Sequence, residues 1–361
     1  MEQHLSRIYL DHAATTPMLA PTVTAISQGM AMWANPSSPH AEGRAARSAL
    51  EDARARIAAA YGWDRELILT SGASESLALA MRRAMVPGRF VSAVEHDAVM
   101  RLSEGASVVP VDGQGGLDLP ALESLLSKDE KALLCVQWAN SETGVRQPIS
   151  DISRIVHDAG CLLLVDAAQM PAGADPQVTE HADLVAVSAH KRGGPPGIGA
   201  LLVRDLGLLS PTGGQERGYR PGTENLPGTL GYAAALEVAE PLDAYQLLRD
   251  RLDAAILDAG GEIIAPDACR SPAIGAYRMP GVSSAAQLIR FDGAGFAVSA
   301  GSACSSGSLK PSHVLGAMGL ADIAPEVVRV SFGRGTSEAD IDAFAAMWAK
   351  VARQAAARLA I

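Results

Sequence analysis

Leu162-Leu163-Leu164-Val165-Asp166-Ala167-Ala168-Gln169 and Leu184-Val185-Ala186-Val187-Ser188-Ala189-His190-Lys191 are the two stretches that decide the fold. Each is a short apolar run that stops abruptly on polar, chemistry-bearing residues. Runs without polar alternation belong to strands covered on both faces. Leu67–Thr70, Arg89–Val94, Ala132–Gln137 and Ala200–Val203 read the same way, while Ser74–Met85, Leu119–Leu126 and Ile149–Ala159 carry helical periodicity between them. This alternation from about Glu66 to Val203 specifies an α/β fold with a mostly parallel sheet flanked by helices. In such sheets ligands sit beyond the carboxyl ends of the strands, where Asp166 and Lys191 fall.

Towards the N-terminus, Ala45, Ala49, Ala53 and Ile57 recur at i+4, with Arg44, Arg47, Glu51, Asp52 and Arg54 assigned to other faces, so Ala41–Tyr61 is read as one amphipathic helix. After about Glu240 the pattern changes to fewer, longer helices around short strands. The chain closes on a helix opened by Ser337 and Asp340, spaced as in a capping box. The expected division is a large cofactor-binding domain over 12–240 and a smaller α+β domain made of 1–11 and 241–361.

A chain of 361 residues with 48% hydrophobic and 19% charged residues buries a sizeable core, and no apolar run reaches the ~20 residues needed to cross a bilayer. Thirty basic residues against forty acidic give a net charge of −10, with no basic run interleaved with aromatics, which argues against nonspecific nucleic-acid binding. Met1–Arg7 lacks the basic and apolar regions of a secretory leader, so a cytoplasmic location is expected. Cys135, Cys161, Cys269 and Cys304 are scattered, without a CxxC pair, and no HExxH occurs; neither a disulfide framework nor a metal site is expected. Most of these thiols are read as buried.

Lys191, at the end of an apolar strand and followed by the glycine-rich Arg192–Gly199, is placed where burial favours a reactive amine. Asp166, at the end of a neighbouring strand, suits the protonated ring nitrogen of pyridoxal phosphate, although an isolated strand-end aspartate is as readily a helix cap. Gln169 could donate to the ring's phenolate oxygen. Thr70-Ser71-Gly72-Ala73-Ser74-Glu75 turns from strand into helix, so the amides of Ala73 and Ser74 and the Ser74 hydroxyl form an anion cradle. None of the lysines follows a glycine as a nucleotide loop requires. His96, in Glu95-His96-Asp97, reaches the same edge and suits stacking and proton transfer.

In order along the chain, Tyr9-Leu10-Asp11-His12-Ala13-Ala14-Thr15-Thr16, Asn35-Pro36-Ser37-Ser38 with His40, Ser71–Glu75, Glu95-His96, Glu142-Thr143-Gly144 with Gln147-Pro148-Ile149, Asp166–Gln169, Ser188–Lys191, Gly214-Gln215-Glu216, Pro221-Gly222-Thr223-Glu224-Asn225 and Ser302-Ala303-Cys304 resemble the cysteine desulfurases of the class V aminotransferase group, of nitrogen-fixation or iron–sulfur-cluster type. The resemblance runs from about residue 8 to 336.

It implies a fold-type I, pyridoxal 5'-phosphate-dependent transferase that converts L-cysteine to L-alanine. Lys191 would bind the cofactor covalently, Asp166 would pair with its ring nitrogen, Gln169 would contact its phenolate oxygen and His96 would stack on it. Ala73, Ser74, Ser188 and His190 would hold the phosphate, joined in a homodimer by Thr223 of the other subunit. Asn35 and Arg329 would hold the substrate carboxylate, the latter through its bidentate fork. Cys304 would take the sulfur as a persulfide and pass it to an acceptor protein, an iron–sulfur scaffold or sulfur carrier. The Ser- and Gly-rich stretch 299–308 reads as a mobile loop suited to carrying it. One departure is Ser141, which stands where the family has a cofactor-contacting asparagine. Lys191 and Asp166 would serve equally in a selenocysteine lyase or an aminotransferase of the same fold, or survive in an inactive sulfur-transfer docking subunit; Cys304 favours desulfuration.

Overall fold

The computed structural model describes residues 7–126, 131–301 and 311–359. Its strands are β1 (Ile8–Tyr9), β2 (Glu66–Thr70), β3 (Gly88–Ser92), β4 (Ser107–Val109), β5 (Ala132–Gln137), β6 (Leu162–Asp166), β7 (Leu184–Ser188), β8 (Gly199–Val203), β9 (Glu262–Ile263), β10 (Ile274–Arg278), β11 (Phe296–Ala297) and β12 (Val327–Ser331). The central sheet runs β2-β8-β7-β6-β5-β3-β4. Only β8 opposes the others: it is antiparallel to both β7 and β2, while the remaining neighbours pair in parallel. The α/β architecture expected from the apolar runs is therefore present, with strand limits shifted by one or two residues. β4 was not anticipated, because three residues carry too little pattern to register.

Alternate residues of each central strand feed two different cores, as strands buried on both faces require. Leu163 and Val165 of β6 join Leu134 and Val136 of β5 and Val185 and Val187 of β7 on one face. Leu164, Leu133, Cys135, Leu184 and Ala186 join the helix residues Leu77, Ala80 and Met81 on the other. The helix Ala41–Ala60 covers the first face, packing also on Leu226–Leu236, which in turn packs on Ala20–Ala31.

The alanine stripe of that long helix needs correction. Its buried positions are Gly43, Ala46, Leu50, Ala53, Arg54 and Ile57, and Ala45 is exposed. A strict i+4 step overshoots one helical turn, so a stripe that stays on one face must mix steps of three and four. Arg54, assigned from sequence to another face, is buried because it is paired: its guanidinium donates to both carboxylate oxygens of Glu216, at 2.6 and 2.9 Å.

The C-terminal part has its own hydrophobic centre, in which Tyr245, Tyr277, Phe291, Phe344 and Trp348 meet Leu10 from the N-terminal segment. A three-stranded antiparallel sheet, β9-β10-β12, and the parallel pair β1-β11 lie here. The closing helix, Glu338–Leu359, is capped as its sequence suggests: Ser337 N donates to Asp340 Oδ2 at 2.9 Å, and Asp340 N donates to Ser337 Oγ at 3.2 Å. Cys135 and Cys161 are buried; Cys269 is exposed, in the turn between β9 and β10. No helix among the described residues is long and apolar enough to cross a membrane.

Candidate active site

Because β2, β3, β5, β6 and β7 run the same way, their carboxyl ends emerge along one edge. There they deliver the Ser71 turn, His96, Ser141, Asp166 and Lys191 to a single cavity of about 330 Å³. The register fixes the spacing: Gln137 faces Asp166, Asp166 faces Ala186, and Ser188 faces Gly199. The cavity is also lined by Ala73, Ser74, Gln169, Ser188 and His190. Nine sequence-designated cofactor residues thus converge.

The Ser71–Glu75 turn beside β8 demands glycine twice, once for space and once for backbone angle. A Cβ on Gly199 would lie 2.6 Å from Gly72 Cα, and Gly72 itself has φ +148 with ψ 175, a region essentially restricted to glycine. Gly72 is thereby the N-cap of helix Ala73–Arg83 in place of the serine a simple cap would use. The amides of Ala73 and Ser74 stand in the first turn, ahead of the helix's own hydrogen-bond ladder, where an anion is favoured.

Asp166 lies at the cavity wall and is otherwise buried; one of its oxygens accepts from Ala168 N at 3.0 Å. Burial raises its pKa, against the pull of the Ala168 amide and the nearby His96 and Lys191. A nitrogen cation at this spot would relieve that desolvation. Gln169 donates through Nε2 to Ala13 O at 2.9 Å, and its buried Oε1 has no partner among the described residues. The Lys191 amine donates to the same Ala13 carbonyl. His96 Nδ1 accepts from Ala98 N at 3.1 Å, so a neutral ring carries its proton on Nε2. Burial, followed by the charges of Lys191 and Arg192, lowers the pKa of His190 to about 4, leaving a neutral ring beside Thr15 Oγ1 at 3.2 Å.

A second, smaller opening shares Lys191, His96 and Ser141 and adds Arg329, Gly301 and His313. Arg329 is held on two sides, its Nη2 by Asp11 Oδ1 at 2.6 Å and its Nη1 by Ser141 O at 2.9 Å. Asp11 Oδ2 accepts from Ser299 Oγ at 2.8 Å. Asn35 and Thr223 are exposed and line neither opening; Asn35 Oδ1 accepts from Ser37 N at 2.8 Å. Cys304, with Ser302 and Ala303, lies outside the described residues. Sequence reasoning passed over Asp11, Glu95 and His313 as site residues. Asp11 and Glu95 stand beside the motif residues Leu10 and His96, but their orientation depends on β12 and β5 far along the chain.

The fit to a pyridoxal phosphate is therefore physical: an amine, a buried carboxylate and an amide cradle open on one cavity of suitable size. The class-V aminotransferase family model matches residues 8–344, nearly the whole chain. This chain belongs to that family.

Among its relatives is a cysteine desulfurase of Cereibacter sphaeroides, 37% identical with 94% of each chain covered. Another is an IscS-like cysteine desulfurase of Mycobacterium tuberculosis, 38% identical with 93% of each covered. In structure the chain is similar to a NifS-like protein from Rickettsia africae, with TM-score 0.86 and 29% identity over 96% of this chain and 99% of that one. It is also similar to SspA, solved in complex with cysteine, with TM-score 0.78 and 28% identity over 91% of this chain and 100% of that one. These likenesses group the chain with the cysteine desulfurases, enzymes that depend on pyridoxal phosphate.

Proposed function

We propose that this protein removes sulfur from L-cysteine, leaving L-alanine, and carries that sulfur on Cys304. The observation that carries the reading is that Lys191, Asp166 and the Ala73–Ser74 turn open on one cavity, with Arg329 at an adjoining one that also reaches Lys191.

Bound pyridoxal phosphate supplies an electron sink next to the substrate's α-carbon. Lys191 Nζ, just beyond β7, would hold the cofactor and afterwards move the substrate's α-proton. Asp166 would keep the ring nitrogen protonated, and His96 would face the ring with Nε2–H available. Ala73 N, Ser74, Ser188 and the neutral His190 would hold the phosphate, with Thr223 contributed by a second subunit. Gln169 and Ser141 line the phenolate side, Ser141 being shorter than the family's asparagine. Arg329 orients the substrate carboxylate, with Asn35 as its companion.

Cys304 Sγ, as thiolate, attacks the substrate sulfur. A sulfur–sulfur bond forms as the substrate's Cβ–S bond breaks, and the carbon returns as alanine after gaining a proton. Cysteine plus one protein thiol yields alanine plus one protein persulfide, so no external oxidant is needed. A sulfur-acceptor protein, either an iron–sulfur scaffold or a sulfur carrier, then takes the persulfide sulfur in the cytoplasm.

The same reading divides the chain into a cofactor-holding body, 12–240, and a smaller body of 1–11 and 241–361, supported by the separate hydrophobic centre that Leu10 joins. The test is to supply the purified holoenzyme with cysteine and a reductant and to measure alanine and sulfide. The wild type releases both in equal amounts. Cys304→Ser keeps the cofactor and its absorbance response to cysteine yet releases almost no sulfide. Undiminished sulfide from Cys304→Ser would remove Cys304 from the pathway.

A further inference from the structure

We propose that His313 determines specificity for the substrate's thiol, its Nδ1 accepting the S–H hydrogen in the opening shared by Lys191 and Arg329. The inference rests on the desulfurase reading of that cavity.

The ring's hydrogen-bond direction follows from its partner. His313 Nε2 lies 2.8 Å from the backbone carbonyl of Glu95, which can only accept, so Nε2 carries a proton. A neutral ring then offers Nδ1 as a lone pair and nothing else. The ring is partly exposed and lines the opening together with Ser141, His96 and Val314.

Its backbone is fixed from both directions. Ser312 Oγ donates to the buried Glu142 Oε2 at 2.6 Å while accepting from Leu315 N at 3.1 Å, which caps the short helix His313–Ala317. Glu142 is held in turn, since Asn140 Oδ1 accepts from Glu142 N at 2.8 Å and from Thr143 N at 2.9 Å. Val314 and Leu315 of the same helix are buried. The ring is thus carried on a helix anchored at its first turn.

The argument from the substrate is one of elimination at a tetrahedral carbon. An α-amino acid that presents its amino group towards Lys191 and its carboxylate towards Arg329 leaves its side chain for the remaining wall, where His313 stands. A thiol is a weak donor that a lone pair accepts. A side chain ending in a carboxylate or sulfinate brings only acceptors against Nδ1 and is disfavoured; one ending in methyl gains nothing.

The experiment is an absorbance titration of the holoenzyme with L-cysteine and, separately, with L-alanine, which lacks the thiol. His313→Ala removes both the Nδ1 acceptor and the Nε2–H donor; His313→Gln can keep both, its Nε2–H towards the Glu95 carbonyl and its Oε1 in place of Nδ1. His313→Ala is expected to bind cysteine about 5-fold more weakly, the equivalent of one net hydrogen bond, and alanine as the wild type does, while His313→Gln recovers most of the loss. Wild-type cysteine affinity in His313→Ala would overturn the proposal. Equal weakening towards alanine would make the ring a brace for the Glu95 turn and overturn it as well. Failure of the wild type to release alanine and sulfide would instead strike the desulfurase reading, which this titration does not measure.

Discussion

Glu216→Ala is expected to cost the fold about 4 kcal/mol, because it strands a guanidinium inside the protein. The Glu216 carboxylate is almost wholly buried, and both oxygens are used: Oε1 accepts from Arg54 Nη2 at 2.9 Å, and Oε2 from Arg54 Nη1 at 2.6 Å and from Leu69 N at 2.8 Å. Burial draws the pKa of Arg54 down, and Glu216 together with Glu51 more than restores it, so the net shift is upward. Removing one partner of a buried pair costs about 3–5 kcal/mol, and an abandoned backbone amide about 1–3 more. The sum is an overestimate, since Arg54 keeps Glu51 Oε2 at 3.0 Å and Leu67 O at 2.9 Å.

Urea unfolding of the variant at fixed protein and cofactor concentrations measures the loss, those concentrations mattering because association and binding add to apparent stability. Arg54→Met combined with Glu216→Leu removes both charges and should be far less damaging than the two single losses added together. A Glu216→Ala loss below about 1 kcal/mol, or an additive double variant, would refute the argument. The consequence for the site is direct. Leu69 immediately precedes Thr70 and the Ser71–Glu75 turn, so slack in β2 should also speed cofactor release.

Asp11→Asn trades one acceptor for a donor where Arg329 Nη2 and Ser299 Oγ are both held; the KM for cysteine should rise about 10-fold with a smaller change in kcat, and a fall in kcat at unchanged KM would contradict the positioning role. Burial sets the pKa of both His12 and His190 at about 4, below the ~6.5 of an unfolded chain, so the folded state binds fewer protons between those values. Stability of the cofactor-free protein is therefore full above pH ~6.5 and is lost on acidification towards 4, by on the order of 3 kcal/mol per ring at most. Denaturant melts across that range check it, and a flat profile would show that neither ring is buried as described.

What the sequence made legible was whatever the end of a strand dictates. Asp166 and Lys191 were readable because each terminates an apolar run, and parallel strands bring such ends to one edge whatever the details of packing. The Ser71–Glu75 turn was readable for the same reason, although the residue that caps the helix is Gly72, required by its φ of +148, and the glycine that the close approach of β8 demands is Gly199, whose pairing no local pattern reveals. Arg54 was misassigned because amphipathic reasoning sends charges outward, and a buried charge is explained only by its partner 162 residues away.

The same logic bears on Asn35 and Thr223. Both were designated on resemblance, and both are exposed and do not line the cavity that gathers the other residues proposed to hold the cofactor. For Thr223, exposure leaves the side chain available to a second subunit, the role proposed for it. Asn35 lies 2.8 Å through its Oδ1 from Ser37 N, a local turn contact, while Ser37 Oγ donates to Gln215 Oε1 at 3.3 Å. Gln215 adjoins Glu216, so the Asn35 turn is tied through Ser37 to the segment that Arg54 anchors and that leads, a few residues on, to Thr223. Loosening Glu216 should therefore disturb the site in two places at once: in its own subunit through β2, and across a dimer through Thr223.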